Sequence, residues 1–344
     1  MSTLNVNEIQ HSSGAGSNIS LNNQGNVQVR GLNGSGVTNL SRNPALRFWQ
    51  RGSGPENVTN STADAYLADG WAVRGTAATG GNATQQRVTE DGVTKIRITT
   101  NGYTSYGSLR QILEAQDIQP YAGMEMCLSV YANAQPNAAV NYSNSSDDVV
   151  VLIASSPMTQ VGTSNRYYVT FTIPTDTQIA SQATARGMAT TFRFNGGEDP
   201  LTNGSYDFWN IQLEPGNYPM PFTVPNATDD LTRCQRYFQI CVASGVVCNC
   251  ASTGETTARG TVPINTAMRI STPSTESDQI FFIDRSGGAD QIENLNGISY
   301  ADVGMCRLQY NRISSTANTY RRISKAANSV AGTSSDTLSI SAEF

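Results

Sequence analysis

The chain has 344 residues, more than one small domain holds at roughly 150 residues apiece. Hydrophobic residues make up 38 % and charged residues only 14 %, so neither a coiled coil nor a highly charged disordered chain is in view. The formal net charge is −5, Lys95 and Lys325 are the only lysines and His11 the only histidine; this excludes a basic nucleic-acid footprint and leaves Ser-His-Asp, Cys-His and His-zinc chemistry poorly supplied.

Residues 1–43 are dominated by Asn, Gly and Ser, with short alternating runs at Ile19-Ser20-Leu21 and Val27-Gln28-Val29. Such a segment buries little by itself and is expected to be an extended or irregular arm that orders by packing on a partner. Its start, Met1-Ser2-Thr3-Leu4-Asn5, lacks the basic and apolar regions of a secretory signal, so the chain is expected to stay where it is made or to leave by lysis. No apolar run approaches the ~20 residues of a spanning helix, and no membrane insertion is expected.

Residues 44–224 read as short strands separated by turns. Thr94–Thr99 alternates strictly; Met126–Tyr131, Val149–Ile153, Tyr167–Ile173 and Thr190–Phe194 are rich in β-branched and aromatic residues. Asn82, Gly92, Asn101-Gly102, Gly162 and Asn195-Gly196-Gly197 supply the turn chemistry between them. This pattern predicts an all-β fold of two packed antiparallel sheets, a jelly-roll β-sandwich. One stretch competes: Ser108–Glu114 carries Leu109, Ile112 and Leu113 at helical spacing, which predicts a short helix on a loop.

Pro215–Pro225 contains four prolines, which cannot donate ladder hydrogen bonds and mark a boundary. After it, Asp230–Ile240 reads as a helical turn leading into a strand, and strand-like runs continue at Gly260–Ile264, Gln279–Asp284, Cys306–Tyr310 and Thr337–Ser341. The expected organisation is an arm at 1–43, a sandwich at 44–224 and a smaller β-rich domain at 225–344.

Candidate chemistry is sparse. The acidic pairs Glu90-Asp91, Asp147-Asp148, Glu198-Asp199 and Asp229-Asp230 lie in turn-like sequence and point to opposite faces of any strand, which disfavours the facing carboxylates of a glycosidase. Asp147, Asp148, Asn195, Glu198 and Asp199 offer hard oxygens for calcium, but no spaced ligand motif accompanies them. Cys241, Cys248 and Cys250 lack paired C-x2-C spacing and read as small apolar groups. No catalytic residue, metal ligand or cofactor site is assigned. Aromatic rings near turns suit stacking on sugars: Tyr103, Tyr106, Tyr142 and Tyr206 are the glycan-binding candidates, with Trp49, Trp71 and Trp209 read as core rings.

Asn43-Pro44-Ala45-Leu46-Arg47-Phe48-Trp49-Gln50-Arg51-Gly52, followed by Ala68-Asp69-Gly70-Trp71, resembles the opening of a jelly-roll domain common in bacteriophage tail fibres and related virion proteins. Phe208-Trp209-Asn210-Ile211-Gln212-Leu213-Glu214-Pro215-Gly216, then Arg233-Cys234-Gln235-Arg236-Tyr237-Phe238, is similar to that domain's closing strand and its junction to a distal tip. The leading Ser2–Ile9 resembles the arm that begins many such fibres, notably those of marine cyanobacterial phages, and Val262–Arg269 with Thr272-Pro273 is similar to a tip domain. The resemblance implies a homotrimeric phage tail fibre: residues 1–43 join other tail proteins, and the outer domains meet the polysaccharide of the host envelope. It carries no catalytic motif, so no enzyme is expected. Capsid decoration or a tail connector, and a polysaccharide depolymerase, are the alternatives.

Overall fold

A computed structural model of the chain contains two units, Met1–Asn226 and Ala227–Phe344. It describes the side chains of residues 39–58, 65–74, 83–101, 107–142, 152–174, 187–194, 203–239 and 264–266, and beyond them the backbone of the strands named below. Three short antiparallel strands come first: β1 (Glu8–Gln10), β2 (Ser17–Leu21) and β3 (Val27–Val29), with Ile19 opposite both Ile9 and Val29. β2 and β3 coincide with the two alternating runs of the arm.

A sandwich of two antiparallel sheets follows. Its strands are β4 (Glu56–Val58), β5 (Ser61–Tyr66), β6 (Ala72–Gly75), β7 (Asn82–Glu90), β8 (Val93–Asn101), β9 (Gly107–Glu114), β10 (Glu125–Ala132), β11 (Asn137–Asn144), β12 (Val149–Pro157), β13 (Thr159–Gln160), β14 (Arg166–Thr172), β15 (Ala185–Arg193) and β16 (Gly204–Pro215). One sheet has seven strands in the order β13-β14-β10-β16-β8-β7-β4, the other six in the order β12-β11-β15-β9-β6-β5. The path from β8 through β9 and β10 to β11, and again from β14 through β15 to β16, switches sheet at each step, which is the jelly-roll pattern the turn spacing predicts.

Alternation decides which residues meet between the sheets. Ile96 and Ile98, Met126, Leu128 and Val130, and Phe208, Ile211 and Leu213 enter from the seven-stranded sheet; Val140, Met188 and Phe192 enter from the other. Trp71 lies 6.2 Å from Phe192, which lies 6.0 Å from Phe208, so ring contacts cross the layer. The stretch expected as a helix, Ser108–Glu114, is instead strand β9, with Leu109 and Leu113 on the inner face. Helical periodicity fails there because Ile112 is buried on the opposite side, and a strand buried on both faces gives no clean period of two. The helix is the single turn that follows, α1 (Ala115–Ile118).

The segment before β4 fastens both ends of the sandwich. The Asn39 side chain donates to Ile211 O at 2.9 Å and accepts from Leu213 N at 3.1 Å, while Leu40 N donates to Leu213 O and Ile211 N donates to Pro44 O. Next to it Arg42 N donates to Gln111 Oε1 and Arg42 Nη2 to Ile112 O, both at 2.8 Å. Gln111 Nε2 donates to Arg42 O and Gly70 O, and Trp71 Nε1 to Arg42 O. Asn43, at φ 46, turns the chain and bonds Phe48 and Asp69. Gly70 has φ +75, and a Cβ there would stand 3.3 Å from both Arg42 Nε and Gln111 Nε2, so glycine is the residue that fits. Asn39, Ser41, Arg42 and Asn43 are buried, so these last residues of the expected arm pack into the sandwich.

Asp69 is wholly buried and accepts from Gln50 N at 3.1 Å and Gln50 Nε2 at 2.8 Å. Burial raises its carboxyl above the ordinary 3.8, against the Gln50 bonds and the Arg51 charge.

In the second unit α2 (Ala227–Gln235) carries Asp229 and Asp230 in its first turn, where carboxylates complement the helix dipole. That pair was expected in a turn and is helical instead. Cys234 is buried. β17 (Phe238–Val242) pairs with β26 (Leu338–Ser341), which pairs with β20 (Ser274–Glu276). A seven-stranded sheet holds β18 (Gly245–Ser252), β19 (Thr257–Pro263), β21 (Ile280–Ile283), β22 (Gln291–Glu293), β23 (Leu295–Asp302), β24 (Met305–Asn311) and β25 (Arg321–Lys325). The side chains of Cys241, Cys248 and Cys250 lie outside the described residues.

Two predictions follow from the fastening segment. Asn39→Ala strands Leu213 N and Ile211 O and lowers sandwich stability by about 1–3 kcal/mol in urea titration, whereas deletion of residues 1–38 leaves the melting temperature unchanged. For Asp69, the raised carboxyl means that the folded state holds its proton more tightly than the unfolded chain. The stability it contributes is full below about pH 4 and declines as pH rises through the raised value. Asp69→Asn removes that decline, so the variant gains on the wild type between about pH 4 and pH 7; a constant difference across that range contradicts the assignment.

Candidate functional site

The outer face of the seven-stranded sheet gathers charged and aromatic side chains of the sandwich. Positions that alternate with the core residues point outward: Lys95 and Arg97 on β8, Asp207 and Trp209 on β16, Tyr131 on β10, Arg166 and Tyr168 on β14. Register aligns them, because Tyr131 stands opposite Arg166 on one side and Trp209 on the other, while Asp207 stands opposite Arg97. A bulge in β16 makes this possible. Asn210 takes φ 47, and between the pairs Ser129–Gln212 and Tyr131–Trp209 the β16 side carries one extra residue. Phe208 and Ile211 thereby both face the core, and Trp209 and Gln212 both face out.

The result is a row across four strands. Arg166 lies over the Tyr131 ring at 5.6 Å, Tyr131 and Trp209 rings are 5.8 Å apart, and Lys95 Nζ lies 4.8 Å from the Trp209 centroid. Beside it, Arg97 grips Asp207 through two bonds of 2.7 Å and reaches Glu90 at 2.8 Å, and Lys95 bonds Glu90 at 2.9 Å. The Lys95 and Arg97 hydrogen bonds hold the Glu90 carboxyl below its ordinary value, and Asp207 keeps Arg97 firmly protonated. Glu90 thus remains ionised and is unsuited to donating a proton as a general acid.

The proline-rich segment after β16 folds back over the same face. Glu214 Oε1 accepts from Met220 N at 2.8 Å and Gln212 Nε2 at 2.7 Å; Gln212 Oε1 accepts from Thr223 N at 3.0 Å. Tyr218 on this strap meets Tyr168 at 5.5 Å. Cys127, Ser129, Gln212 and Glu214 are buried as a result, although their strand positions face away from the core. Burial pushes the Cys127 thiol far up, which makes it unreactive, and raises Glu214 above the ordinary carboxylate value.

Of the residues singled out from sequence, Tyr103 and Tyr106 lie outside the described residues, as do Asp147, Asp148, Asn195, Glu198 and Asp199. Tyr142 and Tyr206 are core rings and not surface ones. Tyr142 is 1 % exposed with no partner for its hydroxyl, and burial pushes it up to about 12. Tyr206 is 6 % exposed and stacks on Phe194 at 5.2 Å. Both fall on the inward parity of their strands, a constraint stronger than nearness to a turn. Trp71 is in the core and Trp49 packs against it, as expected, but Trp209 stands on the outer face. The signal for Tyr131, Arg166 and Tyr168 was present in the alternation of β10 and β14; their coming together depends on register.

No protein-family model matches the chain, and no curated protein matches it. Among solved structures it is similar to the enzymatically active domain of tailspike protein 4 of bacteriophage CBA120, with 12 % identity and a TM-score of 0.33 over 52 % of this chain and 21 % of that one. It is also similar to the family 11 carbohydrate-binding module of the cellulosomal cellulase Lic26A-Cel5E of Clostridium thermocellum, with 10 % identity and a TM-score of 0.27 over 48 % of this chain and 95 % of that one. The first match spans about a fifth of the tailspike chain.

Arg97→Met tests the ion cluster. It leaves Asp207, whose side chain is 6 % exposed, without its cation, and stability falls by about 1–3 kcal/mol. The double variant Arg97→Met/Asp207→Leu recovers much of the loss in the same denaturation assay.

Proposed function

We propose that the chain is a bacteriophage virion appendage of the tail-fibre kind, which attaches the particle to envelope polysaccharide through the outer face of the seven-stranded sheet. The observation that carries this reading is the half-buried Tyr131–Trp209 pair flanked by Arg166 and Lys95. Adjacent rings on a stiff sheet give sugars a stacking surface, and the charged groups around them supply hydrogen bonds to hydroxyls. Support for the virion setting comes from the opening and closing motifs that resemble fibre domains: Asn39–Pro44 binds Ile211–Leu213, so those motifs form one structural unit.

In this reading the N-terminal arm, residues 1–43, joins other tail proteins, the chain assembles as a homotrimer in the host cytoplasm, and three copies multiply weak glycan contacts into useful avidity. The chain acts by binding and not by catalysis. Tyr103 and Tyr106 stand as further glycan-contact candidates.

The purified chain is expected to compete with phage for adsorption to host cells. Trp209→Ala and Tyr131→Ala lower its affinity for envelope polysaccharide about tenfold, the ~1.4 kcal/mol of a lost stacking contact, at a melting temperature close to wild type. The Tyr103→Ala/Tyr106→Ala variant enters the same assay. Release of oligosaccharide from the envelope replaces the binding role with that of a depolymerase, and normal adsorption by particles lacking the chain moves it to a structural role.

A further inference from the structure

Among the described residues, Arg166 is the cation of the row with no carboxylate bonded to it. Its side chain is almost enclosed, at 5 % exposure, yet its described bonds are a single donation from Nη2 to Ser129 Oγ at 2.9 Å and the contact with the Tyr131 ring. Its buried Nε has no hydrogen-bond partner. Lys95 and Arg97 differ in this respect, since Glu90 and Asp207 neutralise both. Glu214 interacts electrostatically with Arg166, but its described bonds go to Gln212 and the strap through Oε1, and its buried Oε2 has no hydrogen-bond partner. A nearly enclosed guanidinium over an aromatic ring, with its Nε unmet and no carboxylate bonded to it, is a costly arrangement that an anion completes. The surroundings fit a sugar: Tyr131 and Trp209 on one side, Tyr168 and the half-exposed Tyr218 on the other. From β8 to β14 the row crosses three strand spacings, about 14 Å, the length of a short oligosaccharide.

We propose that this face selects acidic glycans, with the carboxylate of a uronic-acid unit paired to Arg166 and neighbouring sugars stacked on Tyr131 and Trp209. The assignment rests on the glycan-binding reading above and adds the class of sugar. Long-range attraction cannot mimic it, because a chain of net charge −5 repels polyanions.

The test is calorimetric titration of the full chain with polygalacturonate, dextran sulfate and neutral dextran, beside purified host polysaccharide. Polygalacturonate binds, dextran binds at least tenfold more weakly, and Arg166→Met removes that preference while Trp209→Ala weakens both. Equal affinity for dextran and polygalacturonate, or an unchanged preference in Arg166→Met, overturns the acidic assignment and leaves a neutral-glycan face. Binding of dextran sulfate alone overturns the carboxylate. If neither host polysaccharide nor any polymer binds, the attachment reading itself fails. Where Arg166→Met lowers the melting temperature by more than ~5 °C, wild-type titration between about 50 and 500 mM salt decides: a polygalacturonate affinity that does not fall overturns the charge pairing.

Discussion

The sandwich depends on a polar clasp at its edge. Residues 39–44 lie between the closing strand β16 and the β9 region, and they satisfy backbone groups on both. Asn39 binds Ile211 and Leu213 from 172 and 174 residues away, and Arg42 with Gln111 links the same segment to Gly70 and Trp71. Each buried amide or guanidinium here has partners that only the assembled fold supplies. The cost of leaving any of them unmet in a low-dielectric site gives the clasp its specificity. The opening motif and the closing strand are thus two halves of one interaction, which explains why polar residues such as Asn43 and Asp69 occupy wholly buried positions.

With the ends fixed, alternation assigns the two faces of each strand, and the outer face of the seven-stranded sheet becomes free for other work. Two devices shape it. The bulge at Asn210 changes parity within β16, so that Trp209 turns outward without pulling Phe208 or Ile211 from the core. The strap covers one end of the face, held by Gln212 and Glu214, and leaves the Tyr131–Trp209 end half open. Pro215 to Pro225, the boundary segment expected from its prolines, is therefore also part of the domain surface; Arg47 Nη2 bonds Pro225 O at 2.7 Å.

Much of the fold is legible from the chain alone. Thr94–Thr99 and Tyr167–Ile173 alternate because one side faces the core, and the structure places strands β8 and β14 there. Legibility ends where a strand is buried on both sides. In Ser108–Glu114, Leu109, Ile112 and Leu113 satisfy the helical period as well as two faces of a strand, and only the pairing with β6 and β15 separates the two. The site is less legible than the fold for a related reason. Tyr142 and Tyr206 sit near turn sequence, but their positions within the strand fix them inward. Trp209 reads as a core ring because one residue of bulge, invisible to a period of two, reverses its direction.

A buried polar residue in a β-sandwich has two origins, and the structure separates them by the kind of partner each one holds. Arg42, Gln111 and Gln212 are buried because the fold needs their bonds: their partners are backbone groups of strands and straps that would otherwise be unpaired. Arg166 is buried to a similar degree, yet its one hydrogen bond goes to a serine hydroxyl, which any small donor or water can satisfy. Removing Arg166 would cost the fold no backbone partner among its described bonds. The protein nevertheless bears the desolvation of a full positive charge at that point, beside the half-buried aromatic pair. Glu214 offsets that charge electrostatically without bonding it; a ligand carboxylate supplies the bond that the fold leaves out.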